Sequence, residues 1–225
     1  VYPIQVAEKG FVWLKLHIEG TPGHGSMPSG AGAVDELARI VQLLSTQPFD
    51  FRVTQPARDF LDGIATILGF PRGNVFRAIA NRGVSDFILD KLVKDPERTR
   101  VFRALLRDTV SPTMTEGGTE TNVIPSEATL TLDCRILPGT DPDHFIATFK
   151  DRIPGNYTIE VIDKGPPVVM DKDHPVMDVI YGLVREADPG SHPVSHMVTG
   201  FTLSLIHIRR CRRIERCRSP WSPYQ

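Results

Sequence analysis

The sequence predicts an α+β fold, a two-layer domain in which a four-stranded antiparallel sheet is backed by two helices. Three observations carry this. Residues 10–20 and 127–136 alternate apolar and polar side chains with period two. Residues 31–46 place apolar side chains at helical spacing, and Asp141-Pro142 opens a second helix. Their order is strand–helix–strand–strand–helix–strand (β-α-β-β-α-β), interrupted once by a helical insertion, which is the order of a split β-α-β unit.

Each element has a local reason. Over 10–20, Val12, Leu14, Leu16 and Ile18 share one face, and Thr21-Pro22-Gly23 stops the strand. The helix over 31–46 directs Val34, Leu37, Ala38, Val41 and Leu44 inward. Residues 50–108 carry helical patterning that Pro71 and Pro96 cut into three or four short helices. A structureless loop of that length is improbable, so this stretch is expected to be ordered.

Strands resume at 111–116 and at 127–136, where Ala128, Leu130, Leu132 and Cys134 alternate with Thr129, Thr131 and Asp133. Pro138-Gly139 turns the chain into the 141–152 helix, with Pro142 at its first position. Tyr157–Ile162 is the last strand of the sheet. After Gly165-Pro166-Pro167 the pattern changes to a helix over 174–187 and a short strand over 197–199, read as re-entry into another domain.

Composition excludes several classes. A hydrophobic fraction of 40% supports a packed core. The net charge of -1 is unevenly spread: residues 203–225 hold Arg209, Arg210, Arg212, Arg213, Arg216 and Arg218 against Glu215 alone. The body is therefore mildly acidic, which argues against nucleic acid as a partner. No run of eighteen apolar residues exists, so no membrane-spanning helix is expected. Cys134 is the one thiol before the tail, which fits a reducing compartment or indifference to redox, and of the possible locations the cytoplasm is favoured. The chain starts at Val1 rather than Met, so an upstream segment is also expected.

The tail has its own reading. Residues 203–213 resemble the translation of a transposon adapter used in sequencing libraries: Leu-Ser-Leu-Ile-His-Ile, a stop, then Arg-Cys-Arg-Arg. Arg209 stands where the stop falls, and Pro220 and Gln225 depart from the flanking adapter arm. The natural sequence is therefore expected to leave this frame near Thr202, with 203–225 disordered. His207, Cys211 and Cys217 do not have zinc-ligand spacing.

Two segments carry chemistry. One is Thr21-Pro22-Gly23-His24-Gly25-Ser26-Met27-Pro28. The other is Gly117-Gly118-Thr119-Glu120-Thr121-Asn122-Val123-Ile124-Pro125, followed by Asp133-Cys134-Arg135. A glycine-flanked turn exposes the His24 imidazole, and small neighbours let a ligand approach. The plainer reading is a surface histidine. The Asn122 amide can donate to a carboxylate or carbonyl, or bond its own turn. Arg135 suits bidentate capture of a carboxylate, or a structural pair with Asp133 or Asp141. His17 is read as structural or exposed. His144, His174, His192 and His196 are read as surface or capping, Asp50, Asp59, Asp62 and Asp86 as solvated faces and caps, and Cys134 as core.

Together the two segments resemble the lid, or dimerisation, domain of the M20 family of metallopeptidases and amidohydrolases. The long insertion resembles the large-lid branch, with Gly-X carboxypeptidases and N-fatty-acyl-amino-acid hydrolases. The resemblance implies stubs of an α/β catalytic domain at 1–9 and 165–202, a lid over 10–164, and its insertion at about 50–108. It implies a homodimer through the lid, with His24 reaching a neighbouring active site to stabilise the oxyanion. Asn122, Arg135 and Gly200 would bind substrate, a small peptide or N-acyl amino acid with a free carboxylate. Two divalent metal ions, zinc by expectation, would serve the full-length parent. Their ligands (a His-x-Asp motif, a Glu-Glu pair, a further acid and a final His) would lie outside this chain. The fragment alone is then expected to bind no metal and hydrolyse nothing; the alternative is a purely non-catalytic dimerisation module.

Overall fold

Strand β2 (Gly10–Glu19) is the centre of the main sheet because both of its edges are taken. The computed structural model describes residues 1–200, so the expectations for the 203–225 tail lie outside the described residues. Strand β6 (Glu127–Ile136) pairs antiparallel with β2 without a break, from Gly10 opposite Ile136 to Glu19 opposite Glu127. Strand β7 (Tyr157–Gly165) takes the other side. Strand β4 (Thr109–Gly117) closes the order β4-β6-β2-β7. Its register shifts between Pro112 and Met114, a disruption tolerated on an edge strand because proline cannot donate to a ladder.

The alternation read from the sequence sets which face is buried. Val12, Leu14 and Leu16 are fully buried, as are Leu130, Leu132 and Cys134 opposite them. Helices α1 (Ala33–Thr46) and α6 (Pro142–Arg152) cover that face, with Ile40, Phe145 and Phe149 in the same core. The other face meets water, as in many antiparallel sheets. Asp141 caps α6 by accepting from the amides of Asp143 and His144 at 2.9 and 3.1 Å. The expected inward stripe of α1 is displaced. Val34 and Ala38 are exposed, while Ala33, Leu37, Ile40, Val41 and Leu44 pack inward. Ile40 and Ala33 are the fully buried pair, so the helix is rotated by part of a turn from the expected face.

The insertion holds four helices: α2 (Gln55–Leu68), α3 (Arg72–Ala78), α4 (Arg82–Lys91) and α5 (Pro96–Leu106). Its packing was not foreseen. Strands β1 (Tyr2–Glu8) and β9 (Pro193–Val198) run parallel to each other, and the short β8 (Val168–Val169) adds to β1 antiparallel. The chain's two flanking segments therefore pair with one another in a separate three-stranded sheet. The strand expected at 197–199 begins four residues earlier, and the expected helix is α7 (Pro175–Ala187).

The insertion shares a second core with this sheet: Ala57, Leu61, Leu89 and Leu105 join Ala7 and Met197. At Gly63 a Cβ would fall 2.5 Å from Val194 Cγ1, so only glycine lets α2 ride this close to β9. Among the described residues no helix is long and apolar enough to cross a membrane.

Candidate functional site

The two motif segments, far apart in the chain, meet in a two-rung antiparallel ladder. Strand β3 (Gly23–His24) pairs with β5 (Val123–Ile124), Gly23 opposite Ile124 and His24 opposite Val123. The Gly25 amide then donates to the Asn122 carbonyl at 2.8 Å. The base of the loop is also held: the Thr21 amide donates to Ala31 and the Gly20 amide to Ser126, each at 2.8 Å. Gly118 turns the chain into the second motif at φ 75, a left-handed conformation that favours glycine.

Within the loop, the His24 ring is oriented by its neighbour. Nδ1 lies 2.8 Å from the Ser26 hydroxyl and accepts the Ser26 amide at 3.2 Å. A backbone N–H can only donate, so Nδ1 is an acceptor and the neutral ring carries its proton on Nε2. His24 is exposed, and its Nε2 makes no hydrogen bond among the described residues. The Asn122 side chain is also exposed and makes no hydrogen bond among the described residues. The self-bonded turn read as its alternative is not formed.

A shallow cleft of about 560 Å³ lies between the loops, lined by Gly25, Pro28, Gly118, Thr119, Glu120 and Pro125 among others. His24 and Asn122 are not among its lining residues.

Arg135 and Gly200 stand elsewhere. Arg135 is eight residues up β6 from Glu127, about 26 Å at ~3.3 Å per residue. Its guanidinium binds Asp133 in a fork, Nε to Oδ1 and Nη2 to Oδ2, each at 2.8 Å. Asp133 also accepts from Trp13 Nε1 at 3.2 Å, across the β2–β6 pair. The structural pair weighed for Arg135 is therefore formed. Gly200 follows β9 in the three-stranded sheet; among the described residues the nearest atom to an added Cβ would be Val198 Cγ1 at 4.0 Å.

The remaining histidines sort by partner. His17 pairs with Glu160 across the β2–β7 ladder at 2.7 Å. His174 caps α7, its Nδ1 accepting from the Val176 amide at 3.2 Å. His196 departs from the surface reading: it is half-buried against the Phe60 ring, centroids 4.9 Å apart, and burial lowers its pKa. Asp62 and Asp86 lie on solvated faces, as read, and form ion pairs with Arg77 and Arg107. Cys134 is fully buried, and burial raises its thiol pKa.

One buried polar residue escaped the sequence reading. Lys9, fully buried, donates from Nζ to the carbonyls of Ala104 and Arg107 at 3.0 and 2.8 Å and to Thr109 Oγ1 at 3.3 Å. It caps the C-terminal end of α5. Burial pushes its pKa down to about 7, against the pull of Asp108.

Among the described residues no three His, Cys, Asp or Glu side chains stand together to hold a metal ion. No catalytic step is assigned to a metal on this chain.

Comparison with known proteins identifies the family. The family model described as "Peptidase dimerisation domain" matches residues 6–158. The chain is 30% identical over 151 residues to the mouse N-fatty-acyl-amino acid synthase/hydrolase PM20D1, covering 67% of this chain and 29% of that protein. It is 27% identical over 143 residues to the probable carboxypeptidase S-like 2 of Dictyostelium discoideum, covering 64% and 26%. The chain thus spans under a third of the length of these relatives.

Among solved structures, the M20 family metallo-carboxypeptidase Sso-CP2 from Sulfolobus solfataricus aligns with a TM-score of 0.59 at 17% identity, covering 92% of this chain and 56% of that one. Human carnosine dipeptidase 1 aligns with a TM-score of 0.54 at 11% identity, covering 92% and 48%. These two likenesses show the fold. With the family match over 6–158, the chain belongs to the M20 peptidase dimerisation-domain family.

Proposed function

We propose that this chain is the lid of an M20-type hydrolase acting on the amide of N-acyl amino acids, or of peptides with a free carboxylate. In this reading a homodimer forms through the lid, and His24 of one copy completes the active site of the other. One observation carries it: the β3–β5 ladder presents His24 outward with Nδ1 satisfied by Ser26 and the proton on Nε2. A donor held in that way suits the oxyanion that develops when water attacks an amide carbonyl.

Asn122, pinned through its carbonyl with its side-chain amide free, can donate to the same carbonyl or to a substrate carboxylate. Arg135 would exchange Asp133 for a substrate carboxylate, one fork for another. Gly200 offers an uncrowded backbone amide. The two divalent metal ions, zinc in this reading, would supply the activated water; the described residues do not fit them, so other segments would hold them. This chain alone then acts as a dimerisation module. Metal-dependent amidase activity of the purified 225-residue chain would refute that part.

The decisive test uses the full-length parent. His24→Ala should lower kcat by about 10²–10³-fold with a smaller effect on KM. Mixing His24→Ala subunits with subunits disabled at the metal centre should restore activity, because each mixed dimer has one intact composite site. Unchanged kcat, or no restoration in mixed dimers, sinks the reading.

A further inference from the structure

The helical insertion contains a groove that the lid chemistry does not use. It has a volume of about 750 Å³, within the range of small-molecule sites. Phe60 and Ile64 of α2 and Phe76 of α3 line it together with Val101 and Phe102 of α5. The rings of Phe76 and Phe102 meet edge to face, 5.3 Å between centroids. The apolar walls are open to water: Leu92 is 56% exposed, Val101 46% and Leu68 43%. Isolated exposed apolar side chains are ordinary, but a concave cluster of them marks a binding surface.

The polar residues of the lining are confined to one stretch, from Lys94 to Arg98. Their charges are not equivalent. Asp95 is engaged by Arg98 at 3.1 Å and Glu97 by Arg100 at 2.7 Å. Lys94 has no ion pair or hydrogen bond among the described residues. The groove therefore has an apolar body and a single uncompensated cation at one end. That asymmetry matches an amphiphile with one long alkyl chain and one carboxylate.

We infer that this groove binds a long-chain acyl group with its carboxylate beside Lys94. The shared chemistry has two sources, a free fatty acid or an N-acylated amino acid; the second rests on the function proposed above. A flat bilayer fits less well, because the groove is concave.

Titration of the full chain, by calorimetry below micelle formation, tests this with decanoate, dodecanoate, tetradecanoate and N-dodecanoylglycine. Affinity should rise about fourfold per added methylene until the groove is filled, the equivalent of ~0.8 kcal/mol per buried CH₂. Leu92→Asp, at a position 56% exposed where a polar side chain can reach water, should abolish binding. Lys94→Glu should weaken carboxylates about two- to fivefold and leave a dodecyl trimethylammonium ligand unweakened.

Tighter binding of N-dodecanoylglycine than of tetradecanoate assigns the groove to acylated amino acids; the reverse order assigns it to free fatty acids. His24→Ala should leave every affinity unchanged, so loss of the catalytic reading and loss of this one are separable. Affinity that ignores chain length or survives Leu92→Asp overturns the inference. So does binding only to phosphatidylcholine vesicles, or a dimer that Leu92→Asp dissolves.

Discussion

The Gly25 amide donates to the Asn122 carbonyl across 2.8 Å, joining the histidine loop to the asparagine loop just beyond their two-rung ladder. Without that bond the two loops are held by a pair of two-residue strands and by the Gly20–Ser126 bond at their base, and a pairing of this length is marginal in water by itself. The relative placement of His24 and Asn122 therefore rests on few interactions, all at the surface. Residue size matters at the same point: a Cβ on Gly25 would lie 3.3 Å from the Asn122 oxygen.

Gly25→Pro removes this donor. An exposed hydrogen bond of this kind contributes about 0.5–1.5 kcal/mol, so the thermal midpoint should move only slightly. Turnover by the full-length parent should fall much more than stability does. Parallel measurement of both separates the roles; full activity with a freed Asn122 carbonyl would show that the ladder does not position the site.

Ser26→Ala leaves the backbone donor to His24 Nδ1 but deletes the hydroxyl. The preference for the proton on Nε2 should weaken, visible as a shift of the imidazole ¹⁵N resonances toward tautomer averaging. The parent's kcat should drop by about two- to tenfold, the equivalent of one hydrogen bond. Unmoved resonances together with unmoved kcat would show that Ser26 is a bystander.

Helix α1 offers a direct contrast between pattern and packing. Ile40→Ala should cost about 2–5 kcal/mol, because Ile40 is fully buried beneath the sheet. Val34→Ala should stay within about 0.5 kcal/mol, since Val34 is 44% exposed. Urea unfolding of the two variants checks the pair, and similar losses would place the inward stripe where the sequence alone put it.

That contrast shows what was legible and why. The strands over 10–19 and 127–136 were readable because a period of two is strict, and a one-residue slip would expose Leu14 and Leu16. A helix has no such strictness: both Val34 and Ile40 fit an apolar stripe, and only the position of the sheet decides between them. Strand β1 lacked a signal, because Pro3 interrupts it and only its last three residues are buried. Strands β3, β5 and β8 hold two residues each and exist only through distant partners. At the candidate site, the residue types at His24 and Asn122 were visible, but their pairing was not. Arg135 offered the same local chemistry to a substrate and to Asp133, and only the fold showed the fork already formed. Lys9 was least legible: its acceptors lie at 104–109, and a lysine in sequence reads as solvent-facing.

Lys9 also sets a pH dependence. Burial holds its folded pKa down at about 7, while an unfolded lysine titrates near 10.4. Between those values the unfolded chain keeps a proton that the folded chain has released. Stability then rises with pH, by up to about 1.4 kcal/mol per unit from this group. Below about pH 7 both states hold the proton and the slope from Lys9 vanishes. Two other groups fix the useful window. His196, lowered by burial, adds a slope of the same sign below its ordinary pKa of about 6.5. Cys134, raised by burial, adds the opposite slope above about 8.5. Urea unfolding between about pH 7 and pH 8 should therefore show a rising midpoint in the native chain. In Lys9→Met the rise should flatten, and the midpoint should fall because the Ala104 and Arg107 carbonyls lose their donor, at about 1–3 kcal/mol each. An equal rise in Lys9→Met would assign the dependence to another group and remove the lysine from the account.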